Sequence, residues 1–332
     1  MSLSYDQLRA AVDGGTAGFR ARVELEPLGG AGEKVFPPTY SVDNNAETRY
    51  AVERKTVIDN NGAEHTEVVR VVLDSVSSQA NRFELALLDA IRRGDLAAPV
   101  TSVDFAGAGL AGLDRVTDYE APHRIFDAIL RDSFDGDDLF RSAATGRSIT
   151  EATARNAAAV FHHSPHTLVF GGWDSTGPKG GRGAKYERAL TSEIVAHGVE
   201  LGVKTASRID PLGIEKDAGL LYQAKDGVEW TLDPKEAVTE KSKPKAFSRG
   251  GGDQPGRPSQ ANHGNIAPSI DPRAGGVIAQ RILATTVLSL IQLRRLRFPT
   301  DISGEALSSE RRADIEGSAR TALAALALAS VV

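Results

Sequence analysis

The stretch VVRVVLDSVSSQANRFELALLDAIRRG, residues 68–94, predicts a buried strand followed closely by a helix. Its first part, Val68–Leu73, is mostly apolar and β-branched, which is typical of a strand inside a sheet. In the second part, Val76–Arg93, apolar side chains recur at helical spacing, at Phe83, Leu87, Ala90 and Ile91. Gly94 then supplies a stop signal for the helix.

Further strands and helices are predicted on both sides of this stretch. Strands are predicted at Thr16–Leu28, where apolar and charged residues alternate, at Val100–Phe105, Leu168–Trp173 and Glu193–Leu201, with a hairpin over Leu220–Leu232. Helices are predicted at Ala121–Asp132, at Glu151–His163 with Thr150 as N-cap, at Gly276–Arg297 and at Gly304–Ala329. Strands and helices interleave without a regular βαβ order, so the sequence predicts an α+β fold.

Residues 239–275 differ in composition, because Gly, Pro, Ser and basic residues dominate and no periodicity is visible. We interpret them as a mobile insertion in a single domain spanning 1–332, with C-terminal helices over 276–332. Its part 241–257 is basic, since Lys241, Lys243, Lys245, Arg249 and Arg257 face only Asp253 there. It is either a solvated loop or a finger that becomes ordered on a nucleic acid or a neighbouring subunit.

The composition excludes several classes of protein. Hydrophobic residues make up 41% and charged residues 25% of the 332 residues, as in ordinary globular proteins. The absence of cysteine excludes disulfides, thiol catalysis and Cys-ligated metal sites. No apolar stretch reaches the roughly 20 residues of a membrane-spanning helix, and no secretory signal is visible, so we expect a soluble, cytoplasmic protein. With 39 Lys+Arg against 44 Asp+Glu, total charge argues against nucleic-acid binding, and local charge must decide.

The segment GGWDSTGPKGGRGAKYER, Gly171–Arg188, combines six glycines with Lys179, Arg182, Lys185 and Arg188. Glycines let backbone N–H groups approach an anion closely, and the cations supply counter-charge for phosphates. It is not a Walker A loop, because Gly183 is followed by Ala184. The segment is therefore either a phosphate-binding loop or an ordinary glycine-rich surface loop.

The start of the predicted helix at Val76 carries Ser77, Ser78, Gln79, Asn81 and Arg82. Free backbone donors and the helix dipole favour an anion there. Simple capping by Asp74 or Ser75 is the alternative interpretation.

Three further groups of polar residues are less specific. Arg124 and Arg131 are candidates to line a groove, while His123 is expected to cap its helix. His162, His163 and His166 suggest a metal site, but Pro165 should end the helix between them, so no metal site is predicted. Arg208 either pairs with Asp210 or contacts RNA.

Five blocks in this order, KVFPPTY, LDSVSSQANR, EAPHRIFDAILRDS, GGWDSTGPKGGRGAKYERALTSEI and SRIDPLGI, resemble the RAMP-superfamily backbone subunit of the type I-G (formerly I-U) CRISPR system. The resemblance spans roughly residues 20–235 and departs at Ser77, where the family's block has glutamine. It implies a modified RRM-like (ferredoxin-like) palm with finger and thumb insertions.

The resemblance also implies a function and its partners. Such subunits polymerise along the guide RNA (crRNA) as the backbone of a Cascade complex, with other copies, other Cascade subunits and the paired target DNA strand as partners in antiviral defence. It implies no catalytic residue, metal or other cofactor. RNA contacts are carried over to Gln79, Asn81, Arg82, Lys179, Arg182 and Lys185, and also to Arg20, Lys34, Arg124 and Arg208. The alternative is a metal-dependent RAMP ribonuclease that uses Asp104, Asp174 and Asp210.

Overall fold

The computed structural model describes residues 3–58, 61, 64–177, 183–211, 220–226, 229–249, 254–301 and 303–331. The helices are α1 Tyr5–Asp13, α2 Val76–Arg93, α3 Ala128–Arg131, α4 Ala144–Glu151, α5 Ala158–His163, α6 Pro165–Phe170, α7 Leu290–Arg294 and α8 Ser309–Ala329. The longer strands are β1 Gly18–Leu25, β2 Val52–Ile58, β3 Glu64–Asp74, β10 Leu190–Leu201, β11 Lys204–Arg208, β16 Ile266–Asp271 and β17 Val277–Ser289. The short strands are β4 Ser102–Asp104, β5 Arg115–Thr117, β6 Phe134–Asp135, β7 Asp138–Leu139, β8 Gly172–Trp173, β9 Lys185–Tyr186, β12 Tyr222–Gln223, β13 Trp230–Thr231, β14 Thr239–Glu240 and β15 Lys243–Pro244.

The chain divides into two compact units. The first consists of Met1–Ala31, Val52–Gly198 and Ala279–Val332, and the second of Gly32–Ala51 and Val199–Ile278. The interpretation of 1–332 as one domain with insertions stays a prediction, because compactness alone does not define a folding unit.

A five-stranded sheet forms the framework of the first unit, in the order β1-β17-β10-β3-β2. Strand β1 runs antiparallel to β17 in unbroken register, and β3 runs antiparallel to both β10 and β2. Helices combined with antiparallel sheets confirm the predicted α+β class. The finer description, an RRM-like palm with finger and thumb, stays a prediction.

The hydrophobic core of the first unit lies among α1, α2, α6, α8 and the inner face of β17. Leu87 and Leu88 of α2, Phe170 of α6 and Leu323 of α8 are all buried to 2% exposure or less. Burying one such side chain contributes about 1.5–3 kcal/mol. Helix α6 ends at the buried Phe170, so the residues that follow Phe170 start from a position that is fixed by the core.

The helix predicted at Val76–Arg93 is confirmed at both ends. Ser75 caps its start, because the Ser75 hydroxyl accepts a hydrogen bond from the Ser78 N–H at 3.3 Å. Gly94 adopts the left-handed conformation with φ of 79° and ends the helix. The strand prediction at Val68–Leu73 is also confirmed, within the longer β3.

Two predicted helices are interrupted. Glu151–His163 is wrong as a single helix, because α4 ends at Glu151 and α5 begins at Ala158. Thr150 lies within α4 and is not an N-cap; a turn closed by hydrogen bonds between Thr153 and Asn156 separates the helices. Within Ala121–Asp132, the extended backbone of Asp127 separates a 3₁₀ turn at Arg124–Phe126 from α3.

Two apolar segments have the predicted structure over only a small part of their length. Leu168–Phe170 is the end of helix α6, which begins at Pro165, and only Gly172–Trp173 forms the predicted strand, as β8. Gly276–Arg297 is the central strand β17 followed by the short helix α7. The prediction of a helix there was wrong because β17, with neighbours on both sides, is apolar without strict alternation.

The second unit contains small antiparallel pairs. Strand β11 pairs with β16, β12 with β13 and β14 with β15. The predicted hairpin over Leu220–Leu232 is confirmed by the β12–β13 pair. The described parts of 239–275 carry β14, β15, β16 and the buried Phe247, so they contain regular structure; the interpretation of this segment as a mobile insertion stays a prediction.

Membrane-spanning helices are not found among the described residues, since none of their helices combines sufficient length with sufficient hydropathy.

Candidate nucleic-acid interface

A groove of about 650 Å³ opens in the first unit, where three segments meet. They are the start of α2, the turn at Arg124–Phe126 and the ribbon formed by β8 and β9. The lining residues are Ser77, Asn81, Pro122, His123, Arg124, Phe170, Gly171, Gly172, Trp173, Lys185, Tyr186, Glu187, Arg188 and Thr191. The groove thus brings together Asn81, Arg124 and Lys185, which were predicted from separate sequence blocks.

The ribbon places an indole and an ammonium group side by side. Trp173 lies directly opposite Lys185, and Gly172 lies opposite Tyr186. Residues opposite each other in an antiparallel pair project from the same face. Trp173 and Lys185 are exposed, whereas Tyr186 is buried and stacks on Phe126 with ring centroids 6.2 Å apart.

The two glycines before Trp173 allow the chain to leave the core. Gly171 has a φ of 89°, which favours glycine. A Cβ on Gly172 would lie 2.6 Å from Cγ2 of Thr167 and 3.0 Å from the ring of Phe126. This close packing fixes the ribbon against α6 and the Arg124–Phe126 turn.

Arg188 is a tethered cation at the groove. Its Nε donates to the Phe170 carbonyl at 3.1 Å, and its Nη2 donates to the Ser77 hydroxyl at 3.3 Å. No hydrogen bond from the described residues engages Nη1. Partial burial and then the charge of Arg124 lower the pKa of Arg188, as expected for a cation without full compensation. The guanidinium nevertheless stays protonated at neutral pH.

The acidic residues at the groove are neutralised by neighbouring cations. Glu187 pairs with Arg295 at 2.6 Å and also accepts a hydrogen bond from Gln292. The charge of Arg124 is balanced by Glu84. Lys185 and Arg188 therefore leave the groove with a local excess of positive charge, although the whole chain carries a formal charge of -5.

Arg124 forms a buried ion pair beneath the groove. Its Nε and Nη2 donate to the two Glu84 carboxylate oxygens at 2.5 and 2.8 Å, and Nη1 donates to the Gly171 carbonyl at 3.0 Å. The side chains of Arg124 and Glu84 are only 8% and 2% exposed. Burial raises the pKa of Glu84 to about 7, against the opposing effect of Arg124. The structure thus shows Arg124 positioning Gly171; its contact with RNA stays a prediction.

A second layer of buried polar groups lies behind this pair. His166 stacks on Tyr119 with ring centroids 3.7 Å apart, and its Nε2 lies 3.7 Å from both Glu84 Oε1 and Asp118 Oδ2. Burial lowers the pKa of His166 to about 3 and raises that of Asp118 to about 7. Asp118 Oδ2 has no hydrogen-bond partner among the described residues.

The histidine group does not form a metal site in the described part of the chain. Helix α5 ends at His163 and α6 begins at Pro165, which confirms the break predicted from the proline. His166 is buried, whereas His162 and His163 are only partly buried. The described residues contain no cluster of three or more side chains suited to hold a metal ion.

The residues predicted at the start of α2 separate into buried and exposed groups. Gln79 is buried: its Nε2 donates to Asp74 Oδ2 at 2.6 Å, and its Oε1 accepts from the Ser192 hydroxyl at 3.0 Å. Arg82 is 67% exposed and donates to the same Asp74 oxygen at 2.7 Å. Asn81 is exposed at the groove. Ser75 provides the cap, while Asp74 organises Gln79 and Arg82.

The remaining predicted contacts lie away from the groove lining. Arg20 is exposed on the edge strand β1, opposite Val287 of β17. Lys34 and Arg208 belong to the second unit, where Lys34 Nζ donates to the Val203 carbonyl at 2.8 Å. Lys179 and Arg182 lie outside the described residues.

Sequence reasoning missed Trp173 and did not select Ser77 or Arg188 as contacts. Trp173 follows two glycines, and a two-residue strand has no periodicity by which a sequence could reveal it. Arg188 was visible only as one charge among four in the glycine-rich segment.

The three aspartates of the ribonuclease alternative serve as hydrogen-bond acceptors in separate turns. Asp174 is buried, pairs with Arg141 at 2.5 Å and accepts from the Thr176 N–H. Asp210, in the second unit, is buried and accepts from the Gly264 N–H at 3.0 Å. Asp104 accepts from the Ala106 N–H at 2.8 Å.

Comparison with known families adds one finding. Residues 19–201, more than half of the chain, match the family model described as CRISPR-associated protein GSU0053. No curated protein matches the chain in sequence.

Proposed function

The chain belongs to the CRISPR-associated protein GSU0053 family, and from this membership together with the groove we propose that it is a non-catalytic guide-RNA-binding subunit. Family membership itself supports a role in CRISPR defence. The proposal adds that the subunit holds crRNA within a type I-G Cascade complex. Copies of the chain polymerise along the guide, beside other Cascade subunits, and the guide pairs with the target DNA strand.

The observation that carries the proposal is the convergence of Asn81, Lys185 and Arg188 on one groove. Asn81 comes from one part of the sequence and the two cations from another, and neither cation forms an ion pair with a carboxylate of the described residues. An arrangement of this kind attracts the phosphates of a nucleic acid. Contacts to phosphates hold an RNA strand without reading its bases, which leaves base pairing free to recognise the target.

The exposed strand β1 offers a second basic surface. Arg20 and Arg22 alternate with apolar residues along β1 and are both exposed. The pKa of His197 on β10 is lowered by partial burial and then by the charges of Arg70, Arg281 and Arg22, so His197 lies in a positively charged environment. Arg70 and Arg281 also pair with glutamates, which makes Arg20 and Arg22 the stronger candidates for RNA contact.

The test measures RNA affinity as a function of salt for the double variant Lys185→Ala/Arg188→Gln. Each phosphate contact to a single strand adds about 0.7 to the slope of log Kobs against log[salt], so losing two should reduce the slope by about 1.4. The affinity loss should be similar for guides of unrelated sequence. Unchanged affinity and slope would contradict the proposed interface.

Arg93→Ala is a matched control in the same unit. Arg93 is exposed at the far end of α2 and lies about 24 Å along the helix from Ser77, at 1.5 Å per residue. The Arg93→Ala variant removes one positive charge and leaves the groove unchanged. Its slope of log Kobs against log[salt] should therefore stay close to that of the wild type. A reduction of the slope by about 0.7 in Arg93→Ala, half that expected for the double variant, would show that only total charge matters.

The same samples test the non-catalytic part of the proposal. Bound RNA incubated with Mg²⁺ or Mn²⁺ should remain intact, as followed on a denaturing gel. RNA cleavage that requires a divalent ion and is lost in Asp104→Asn would overturn the non-catalytic part of the proposal. Asp104 is chosen because it is exposed, so its replacement should not disturb the core.

A further inference from the structure

We propose that the groove holds one unstacked nucleotide of single-stranded RNA, with its base on the indole of Trp173 and its phosphate at Lys185 and Arg188. This inference rests on the proposed function and specifies what its central groove recognises. It differs from a general phosphate contact, because it requires a base that has left the stack of its neighbours.

The first argument is the exposure of Trp173. This indole is 52% exposed although it sits on a ribbon whose other face is packed into the core. A large aromatic surface at a groove is available for stacking, and stacking accepts any base because every base has a π face. The volume of about 650 Å³ lies within the range of pockets that hold small ligands.

The second argument is the charge beside the indole. Lys185 is the cross-strand neighbour of Trp173, so its ammonium lies on the same face of the ribbon. Arg188 is tethered by Phe170 and Ser77 with Nη1 still available. An aromatic surface next to two cations matches the two halves of a nucleotide, the base and the phosphate.

The third argument concerns the state of the RNA. In a duplex both faces of an internal base are covered by its neighbours, so only an unpaired and splayed base offers a free face to an indole. The groove should therefore favour single-stranded RNA over a blunt duplex of the same length. Asn81 and Thr191 add polar side chains to the lining of the groove.

The experiment uses the fact that the chain has only two tryptophans, Trp173 and Trp230. In a Trp230→Phe background, all tryptophan emission reports on Trp173. Single-stranded RNA should quench this emission in a saturable way, and the blunt duplex should quench it much less. Affinity is measured in parallel by anisotropy of labelled RNA.

Substitutions of Trp173 provide the second readout. Trp173→Ala should weaken binding of single-stranded RNA by roughly 5- to 150-fold, the range for loss of one stacked base, while Trp173→Phe retains most of the affinity. Because Trp173 is exposed, both variants are expected to fold, and circular dichroism checks this.

The outcomes separate this inference from the proposed function. If RNA binds with the salt dependence described above but leaves Trp173 emission and the Trp173→Ala affinity unchanged, the nucleotide site is overturned and the RNA-binding function stands. Equal quenching by the duplex would also overturn it. Absence of any RNA binding by the wild-type protein would overturn the proposed function itself.

Discussion

Replacing Arg124 by methionine should destabilise the first unit strongly, because it leaves the Glu84 carboxylate buried without its counter-ion. Methionine keeps much of the apolar stem that packs near Phe170, where the guanidinium carbon lies 5.8 Å from the ring centroid. The loss is therefore mainly electrostatic. Removing one partner of a buried pair costs about 3–5 kcal/mol, and the Gly171 carbonyl also loses its donor.

The penalty should depend on pH in a direction fixed by Glu84. Its folded-state pKa is raised to about 7 by burial, above its unfolded value of about 4.3. The stability associated with the protonated form is fully present below the unfolded pKa and is lost as pH rises through the folded pKa. Removing Arg124 raises this pKa further, so the penalty should stay nearly constant up to about pH 7 and grow by up to about 1.4 kcal/mol between pH 7 and pH 8.

Urea unfolding followed by circular dichroism at pH 5 and pH 8 measures both effects. The companion variant Glu84→Leu/Arg124→Met should recover most of the lost stability, because apolar residues of similar size can replace a buried ion pair. Two results would refute the reasoning. One is a single variant within about 1 kcal/mol of the wild type at pH 8, and the other is a penalty independent of pH.

Two other substitutions test the base of the groove and the layer behind it. Gly172→Ala should lower the free energy of unfolding by about 1–3 kcal/mol and weaken RNA binding, because the new Cβ would meet Thr167 and Phe126. Gly15→Ala serves as the control, because the space around Gly15 is open. Unfolding and anisotropy measure both, and equal behaviour of the two variants would contradict the packing argument. Asp118→Asn cannot ionise, so its stability relative to the wild type should rise between pH 5 and pH 8, by at most about 1.4 kcal/mol per pH unit; parallel pH profiles of urea midpoints would contradict this.

The sequence predicted elements whose signals are local. The helix α2 has a serine cap, an apolar stripe and a terminal glycine, and each signal lies within its own stretch. The alternation that predicted β1 likewise marks a real strand, although Val23 is 53% exposed. Such signals need no knowledge of neighbouring elements, so they are readable from one sequence.

Elements defined by their neighbours were not predictable in this way. Helix α6 is buried along its whole length, so it has no amphipathic pattern. Strand β17 lies between β1 and β10, and its apolar run is compatible with either a buried helix or a central strand. Both errors arose where tertiary contacts, and not local propensity, decide the conformation.

At the candidate site the sequence likewise revealed residue types, but not which side chains are buried or what their partners are. Residue type left the roles of Lys185 and Asn81 open and the family resemblance implied RNA contacts for both; the structure brings them to one groove. Residue type could not show that Arg124 and Gln79 are buried, because their partners Glu84 and Asp74 are identified only by the fold. A basic side chain in a motif can either bind a ligand or hold the residues that do.

The acidic total charge of the chain is compatible with RNA binding because of how the acids near the groove are paired. Glu84 is held by Arg124, Glu187 by Arg295, and Asp74 by Arg82. Each pair cancels a negative charge at short range, and interactions with unpaired charges beyond about 8–10 Å are screened at physiological salt. An RNA strand in the groove is therefore influenced mainly by Lys185 and Arg188, and not by the sum over the whole surface.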